Sequence, residues 1–87
     1  NDKNIRSMLK TLNPLISEII FTRSNNPKAA EPGYLLRFFN KINKNKKIIK
    51  KIINNPKKAL DYAKKIAGKN DLIVVSGSIY LVGEVIN

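Results

Sequence analysis

The chain has no cysteine, no histidine and no tryptophan, and six acidic residues stand against seventeen lysines and arginines. Without cysteine there are no disulfides and no thiolate metal sites. Without histidine the commonest general base, the commonest zinc ligand and any Ser-His-Asp arrangement are excluded. No apolar run approaches the ~20 residues that span a bilayer, and nothing reads as a signal peptide. The expectation is a cytoplasmic protein with no membrane partner. What is present is aliphatic: 43% of the 87 residues are hydrophobic, enough to argue against disorder. That length supports one small domain over residues 1–87, with a modest core and no internal repeat. The chain opens on Asn1 and its only methionine is Met8, which suggests a piece of a longer protein.

The net charge of +11 invites a nucleic-acid reading. The excess is nearly all lysine, with only Arg6, Arg23 and Arg37 for arginine. Base readers and phosphate clamps favour the planar guanidinium fork. Phe21, Tyr34, Phe38, Phe39, Tyr62 and Tyr80 mostly fall at core-type positions and not between lysines as stacking platforms. A solvated lysine surface is therefore favoured, with no nucleic-acid partner.

Ile5, Met8, Leu9 and Leu12 recur at helical spacing, with Asp2 near the start and Asn13-Pro14 as the stop. Ile16 to Phe21 reads as a strand, and Thr22 to Ala30 as a polar loop containing Asn25-Asn26-Pro27. Pro32 suits a first helical position, and Leu35, Leu36, Phe38, Phe39 and Ile42 line a helix to about Lys41. Asn43 to Lys47 is a polar connector. Residues 48–53 fit a basic amphipathic helix, but the run is short and β-branched, which favours an edge-like strand. Asn55 as N-cap and Pro56 at the next position begin a helix with Ala59, Leu60, Ala63, Ile66 and Ala67 as its buried stripe and Gly68 as its stop.

Leu72 to Val75 reads as a strand buried on both faces. Ser76-Gly77-Ser78 breaks it, and Ile79, Leu81, Val82, Val85 and Ile86 then suggest an almost all-apolar helix. This alternation of helices and strands predicts an α/β fold: a Rossmann-like, mostly parallel sheet with flanking helices. Further strands before Asn1 are expected to complete it.

Gly77 and Gly83 do not form a phosphate loop, because Glu84 and Val85 stand where Walker A needs a lysine and a hydroxyl. The carboxylates are scattered, and capping or surface charge is the expected role of each. No catalytic residue is expected in this segment. Two stretches lie at carboxyl ends of expected strands, where α/β proteins bind ligands. For Arg23 to Lys28, turn chemistry and a carboxylate or phosphate contact by Lys28 with an Asn26 amide are both open. For Ser76-Gly77-Ser78, N-capping by Ser78 is favoured over anion contact through backbone N–H groups.

Four stretches also carry a resemblance. Leu72-Ile-Val-Val-Ser-Gly-Ser-Ile-Tyr-Leu-Val-Gly-Glu-Val85 resembles the TGSLYLVGEV signature of folylpolyglutamate synthase/dihydrofolate synthase. Phe21-Thr-Arg-Ser-Asn-Asn-Pro-Lys-Ala-Ala-Glu-Pro32 is similar to that family's TRPDNPRAADP stretch. Asn1-Asp-Lys-Asn-Ile-Arg-Ser-Met-Leu9 resembles its KDKDxxxML helix start, and Asn55-Pro-Lys-Lys-Ala-Leu60 its EDPxEAL-like one. The order is the family's own and runs the length of the chain. The matched region is the second half of the C-terminal domain, the module shared with the Mur ligases.

The resemblance implies a parent ligase, dependent on ATP and Mg2+, that activates a folate or pteroate carboxylate as an acyl phosphate for attack by L-glutamate. The phosphate loop, the magnesium ligands and the DGAHNP-type motif would lie upstream. No cofactor is therefore expected on this chain alone. Its partners would be its own N-terminal ATPase domain and the upstream part of the C-terminal domain. Glutamate-side contacts implied by the resemblance are Asn25, Asn26, Lys28, Ser76 and Tyr80. Asn25 replaces the family's aspartate, and Lys28 its arginine, so the bidentate fork for a carboxylate is lost. Two rival expectations stand beside this: a free-standing basic module for nucleic acid or an anionic surface, and self-association through an unfinished sheet.

Overall fold

The computed structural model describes the backbone of residues 2–84 and side chains from Arg6 to Glu84. In chain order the elements are α1 (Asp2–Leu12), a 3-10 turn (Asn13–Leu15), β1 (Ile16–Phe21), α2 (Pro32–Ile42), β2 (Ile49–Ile52), α3 (Pro56–Ile66), β3 (Asp71–Ser76) and β4 (Ile79–Glu84). Expectations for α1, β1, α2, β2 and α3 hold closely. Pro32 and Pro56 each sit at a helix start, and the Asn55 carboxamide accepts a hydrogen bond from the Lys58 N–H at 3.1 Å. The segment at 48–53 is a strand and lies at a sheet edge. The Ile5 position on the apolar stripe of α1, and Val85 and Ile86, lie outside the described side chains.

The sheet has four strands in the order β2-β1-β4-β3. β1 and β2 are parallel, whereas β1 with β4 and β3 with β4 are antiparallel. The fold is thus α/β with a mixed sheet, which corrects the expectation of a mostly parallel one. The cause is the last element. The segment expected as a helix from Ile79 is strand β4, inserted between β1 and β3. Ser76 pairs with Ile79, leaving a two-residue loop with Gly77 at φ 57° and Ser78 at negative φ. That is the pattern of a type II′ hairpin, whose twist suits the strands it joins. Ser78 is therefore a turn residue, not an N-cap, and no helix N-terminus follows it.

The two apolar runs have exchanged places relative to the sequence reading. β4 is the buried strand, with Ile79, Tyr80, Leu81 and Val82 all sequestered. β3, expected to be buried on both faces, is an edge: Leu72 and Val75 are more than half exposed. Both runs are continuous and apolar, and periodicity cannot separate a central strand from a buried helix.

Strand alternation sends β1 side chains to two cores. Ile16, Ile19 and Phe21 pack with Leu9 of α1, Leu35 and Phe39 of α2, and Ile79 and Leu81. Ile20 packs with Ala59 and Ala63 of α3, Tyr80 and Val82. α1 and α2 therefore cover one face and α3 the other. Phe21 and Phe39 meet at 5.8 Å between ring centroids, tilted by 58°, a favoured aromatic geometry. Where β4 passes the 3-10 turn there is room only for glycine: a Cβ on Gly83 would lie 2.2 Å from the Leu15 carbonyl oxygen. Next to it the β1–β4 register slips between Ile16 and Glu18, and the Ser17 hydroxyl donates to the Val82 carbonyl at 3.0 Å.

Phe39→Ala is expected to lower unfolding stability by about 3–5 kcal/mol in a urea titration, through lost burial and a residual cavity. Gly83→Ala should cost about 1–3 kcal/mol by overpacking. Gly33→Ala, whose methyl would meet only the Arg37 guanidinium at 3.5 Å, should instead raise stability by about 0.5–1 kcal/mol.

Candidate functional site at the carboxyl end of the sheet

β3 runs antiparallel to β4, and β4 antiparallel to β1. β1, β2 and β3 therefore end on the same side of the molecule. The chain leaves β1 for α2 on one face and leaves the neighbouring β2 for α3 on the other. Adjacent parallel strands whose connections part to opposite faces form a switch point, where open α/β sheets bind ligands.

Thr22 ties this end together. It is 1% exposed. Its N–H donates to the Ser78 carbonyl at 2.9 Å, and its hydroxyl donates to the Asn54 carbonyl at 3.2 Å. The Arg23 N–H reaches the same Asn54 oxygen at 3.2 Å, and the Ile53 N–H donates back to Phe21 at 3.0 Å. The β1 exit, the β2–α3 connection and the β3–β4 turn are thereby locked into one rim.

Above the rim, residues 22–31 fold into a compact loop. The Asn26 carboxamide oxygen accepts from the Lys28 N–H at 3.0 Å, the Asn26 N–H donates to the Ser24 hydroxyl at 3.1 Å, and the Ala29 N–H donates to the Asn26 carbonyl at 3.0 Å. Arg23 pairs with Glu31 at 2.6 Å across the loop base. Both are exposed, so the pair adds little stability. The loop encloses a mainly polar hollow of about 190 Å³ against Pro32, at the start of α2. A larger hollow of about 440 Å³, lined by Arg6, Lys10 and Lys44 over Leu9 and Phe39, lies at the opposite end. Lys10 and Lys44 there stand at the ends of α1 and α2, where cations complement the helix dipoles.

The residues singled out from sequence separate into three places. Asn26 lines the polar hollow, while Asn25 and Lys28 are exposed on the same loop and do not line it. Ser76 is exposed at the end of β3, on the same rim as the loop. Tyr80 lies beneath the rim: its ring is buried against α3 and its hydroxyl reaches towards the Pro56 carbonyl at 3.5 Å. The structure thus brings the loop and the Ser76 turn to one end of the sheet and sets Tyr80 under them. Among the described residues no three acidic side chains come together as a candidate metal site.

Sequence reasoning missed Thr22 and a second polar cluster. Glu18, expected at the surface, is 7% exposed. The Tyr62 hydroxyl donates to its carboxylate, and the Lys51 ammonium lies 4.5 Å from the Tyr62 ring centroid. The alternation of β1 held the signal: Glu18 shares a face with Ile20, and that face meets α3. The Glu18 carboxylate, and then burial, push the Tyr62 phenol above its ordinary value of 10.0, while Lys51 draws it weakly down.

Comparison with protein-family models, with characterised proteins and with solved structures finds no match.

A phenol whose folded pKa is raised contributes stability that is complete below the unfolded value and is lost as pH rises through the folded one. The wild-type chain should therefore lose more stability between about pH 9 and pH 11 than Tyr62→Phe does. Urea midpoints across that range measure it, and parallel losses in the two proteins would contradict the assignment.

Proposed function

We propose that this chain is a segment of the Rossmann-like C-terminal domain of an ATP-dependent ligase of the folylpolyglutamate/dihydrofolate synthase type. In such an enzyme it would serve the amino-acid side of C–N bond formation, in the cytoplasm, and would be inactive alone. The observation that carries this reading is the resemblance of the four stretches quoted above and their order, from Asn1-Asp-Lys to Gly83-Glu84. Support comes from the stretch most specific to a ligand role, Arg23 to Pro32, which stands over a switch point with a polar hollow beside it.

On this reading the Lys28 ammonium meets a glutamate carboxylate as a point charge, and the Asn25 and Asn26 amides orient it. Asn26 already holds the Lys28 backbone through its carboxamide oxygen, leaving its NH2 to donate to an anion. Ser76 offers a hydroxyl from the adjoining turn, and Tyr80 supports Pro56 from below. ATP, bound elsewhere in the parent, supplies the phosphoryl group that activates the folate carboxylate. The contribution of this chain is to hold the amine and its carboxylates in register for attack.

A second reading draws on one observation. From Pro32 to Leu60 the chain carries Arg37 and eight lysines and no acidic residue, and all of these cations are exposed. Lys57 and Lys58 occupy the first turn of α3, where the helix dipole disfavours cations. A free-standing module binding nucleic acid or another polyanion would use this flank.

Lys28→Ala in an intact ligase should raise the apparent KM for glutamate about tenfold, the loss of one charge-assisted contact, with the KM for ATP unchanged. An unchanged glutamate KM would remove the proposed site. The isolated chain should neither hydrolyse ATP nor bind a DNA or RNA oligonucleotide with steep salt dependence; steep dependence would favour the second reading.

A further inference from the structure

The two edges of the sheet are built differently. β2 spans only Ile49–Ile52 and presents Lys50 and Lys51, one to each face. The Lys50 ammonium donates to Asn40 on the α2 side at 3.0 Å, and Lys51 covers Tyr62 on the α3 side. Short edge strands bearing lysine resist further pairing. β3 is longer, Asp71–Ser76, and carries no charge from Leu72 onward. Among the described residues no strand neighbours its outer side, and Leu72, Val74 and Val75 are exposed along it. Its unmet backbone N–H and C=O groups call for an extended strand.

Charge decides which strand. The last cation of the chain is Lys69; the β3–β4 hairpin contains Asp71 and Glu84 and no lysine or arginine. In a molecule of net charge +11, this is the flank through which two copies can approach without bringing their lysine-rich sides together. Joining β3 to β3 brings the eight described strands of two copies into one sheet, with the two β2 edges farthest apart. Seven strand spacings put those edges roughly 34 Å apart, more than three Debye lengths at physiological salt.

We propose that β3 is a homodimer edge, pairing antiparallel with β3 of a second copy about a two-fold axis perpendicular to the sheet. That symmetry keeps each face continuous, so Leu72 and Val74 of one copy lie beside those of the other, with Ile73 and Val75 doing the same on the opposite face. The closed arrangement uses matched strands and leaves no free apolar edge, unlike β3-to-β2 pairing, which would propagate as an open filament.

The test is sedimentation velocity on the 87-residue chain and three variants, with far-UV circular dichroism to confirm folding. The wild type should sediment as a dimer. Val74→Lys should weaken dimerisation at least tenfold, while Ile49→Lys at the other edge should not change it. Because the chain lacks cysteine, Val74→Cys gives a clean second readout: oxidation should trap a covalent dimer, and Ile49→Cys should not. A monomeric wild type at high concentration, filaments abolished by Ile49→Lys, or a dimer indifferent to Val74→Lys would each overturn the proposal.

Discussion

The structure depends on β1 being enclosed on four sides. It pairs with β2 along one edge and β4 along the other, and its faces are covered by α1 and α2 on one side and α3 on the other. Ile19 and Ile20, adjacent in sequence, are both fully buried, in different cores. β4, its neighbour, repeats the pattern, with Ile79 and Leu81 in one core and Tyr80 and Val82 in the other. The fully buried residues that α3 sets on the sheet are Ala59 and Ala63, whose methyl groups let the helix approach closely, with Leu60, Tyr62 and Ile66 packed around them. The larger aromatic volume is placed on the other face, where Phe21 and Phe39 fill the space under α2.

The same enclosure orders the rim. β1 leads directly into Thr22, whose backbone and hydroxyl are committed to the two flanking connections. The chain beyond it must rise clear of the sheet to reach α2 on one face, and the exit of β2 leaves for the other. Polar loop chemistry is thereby mounted on a scaffold with little freedom to shift, which a positioning site needs. The buried Glu18 belongs to a different function of the fold. Its carboxylate accepts a hydrogen bond from the Tyr62 hydroxyl, and Lys51 covers the Tyr62 ring, so Glu18 joins β1 to α3 without leaving a buried oxygen unsatisfied.

Much of this was legible in the sequence where local chemistry is strong. Pro32 and Asn55-Pro56 mark helix starts through fixed φ and side-chain capping, and those signals need no tertiary context. Ile48 to Ile53 was legible as an edge because the run is short and β-branched and is bounded by asparagine and lysine before it and Asn54-Asn55-Pro56 after it. The hairpin was not. Ser76-Gly77-Ser78 serves equally as a strand-to-helix turn or a type II′ loop, and Ile79 to Val82 is apolar enough for either continuation. What decides is whether β1 offers a free edge, a fact about residues sixty positions earlier. At the candidate site, the loop could be read from Asn25-Asn26-Pro27, but the burial of Tyr80 and the joining role of Thr22 follow from β4 and were hidden with it.

The position of β4 has a consequence for biosynthesis. It is the last described element in the chain, yet it sits in the middle of the sheet against β1, one of the first. During translation, Ile19, Ile20 and Phe21 leave the ribosome long before the strand that covers their edge has been made. Until then β1 can pair only with β2, and that two-stranded intermediate exposes apolar edge to any other chain nearby. Contacts of such long sequence separation also close late and slowly. The chain therefore traverses, at every round of synthesis, a stage in which the apolar edge of β1 is open to pairing with other chains.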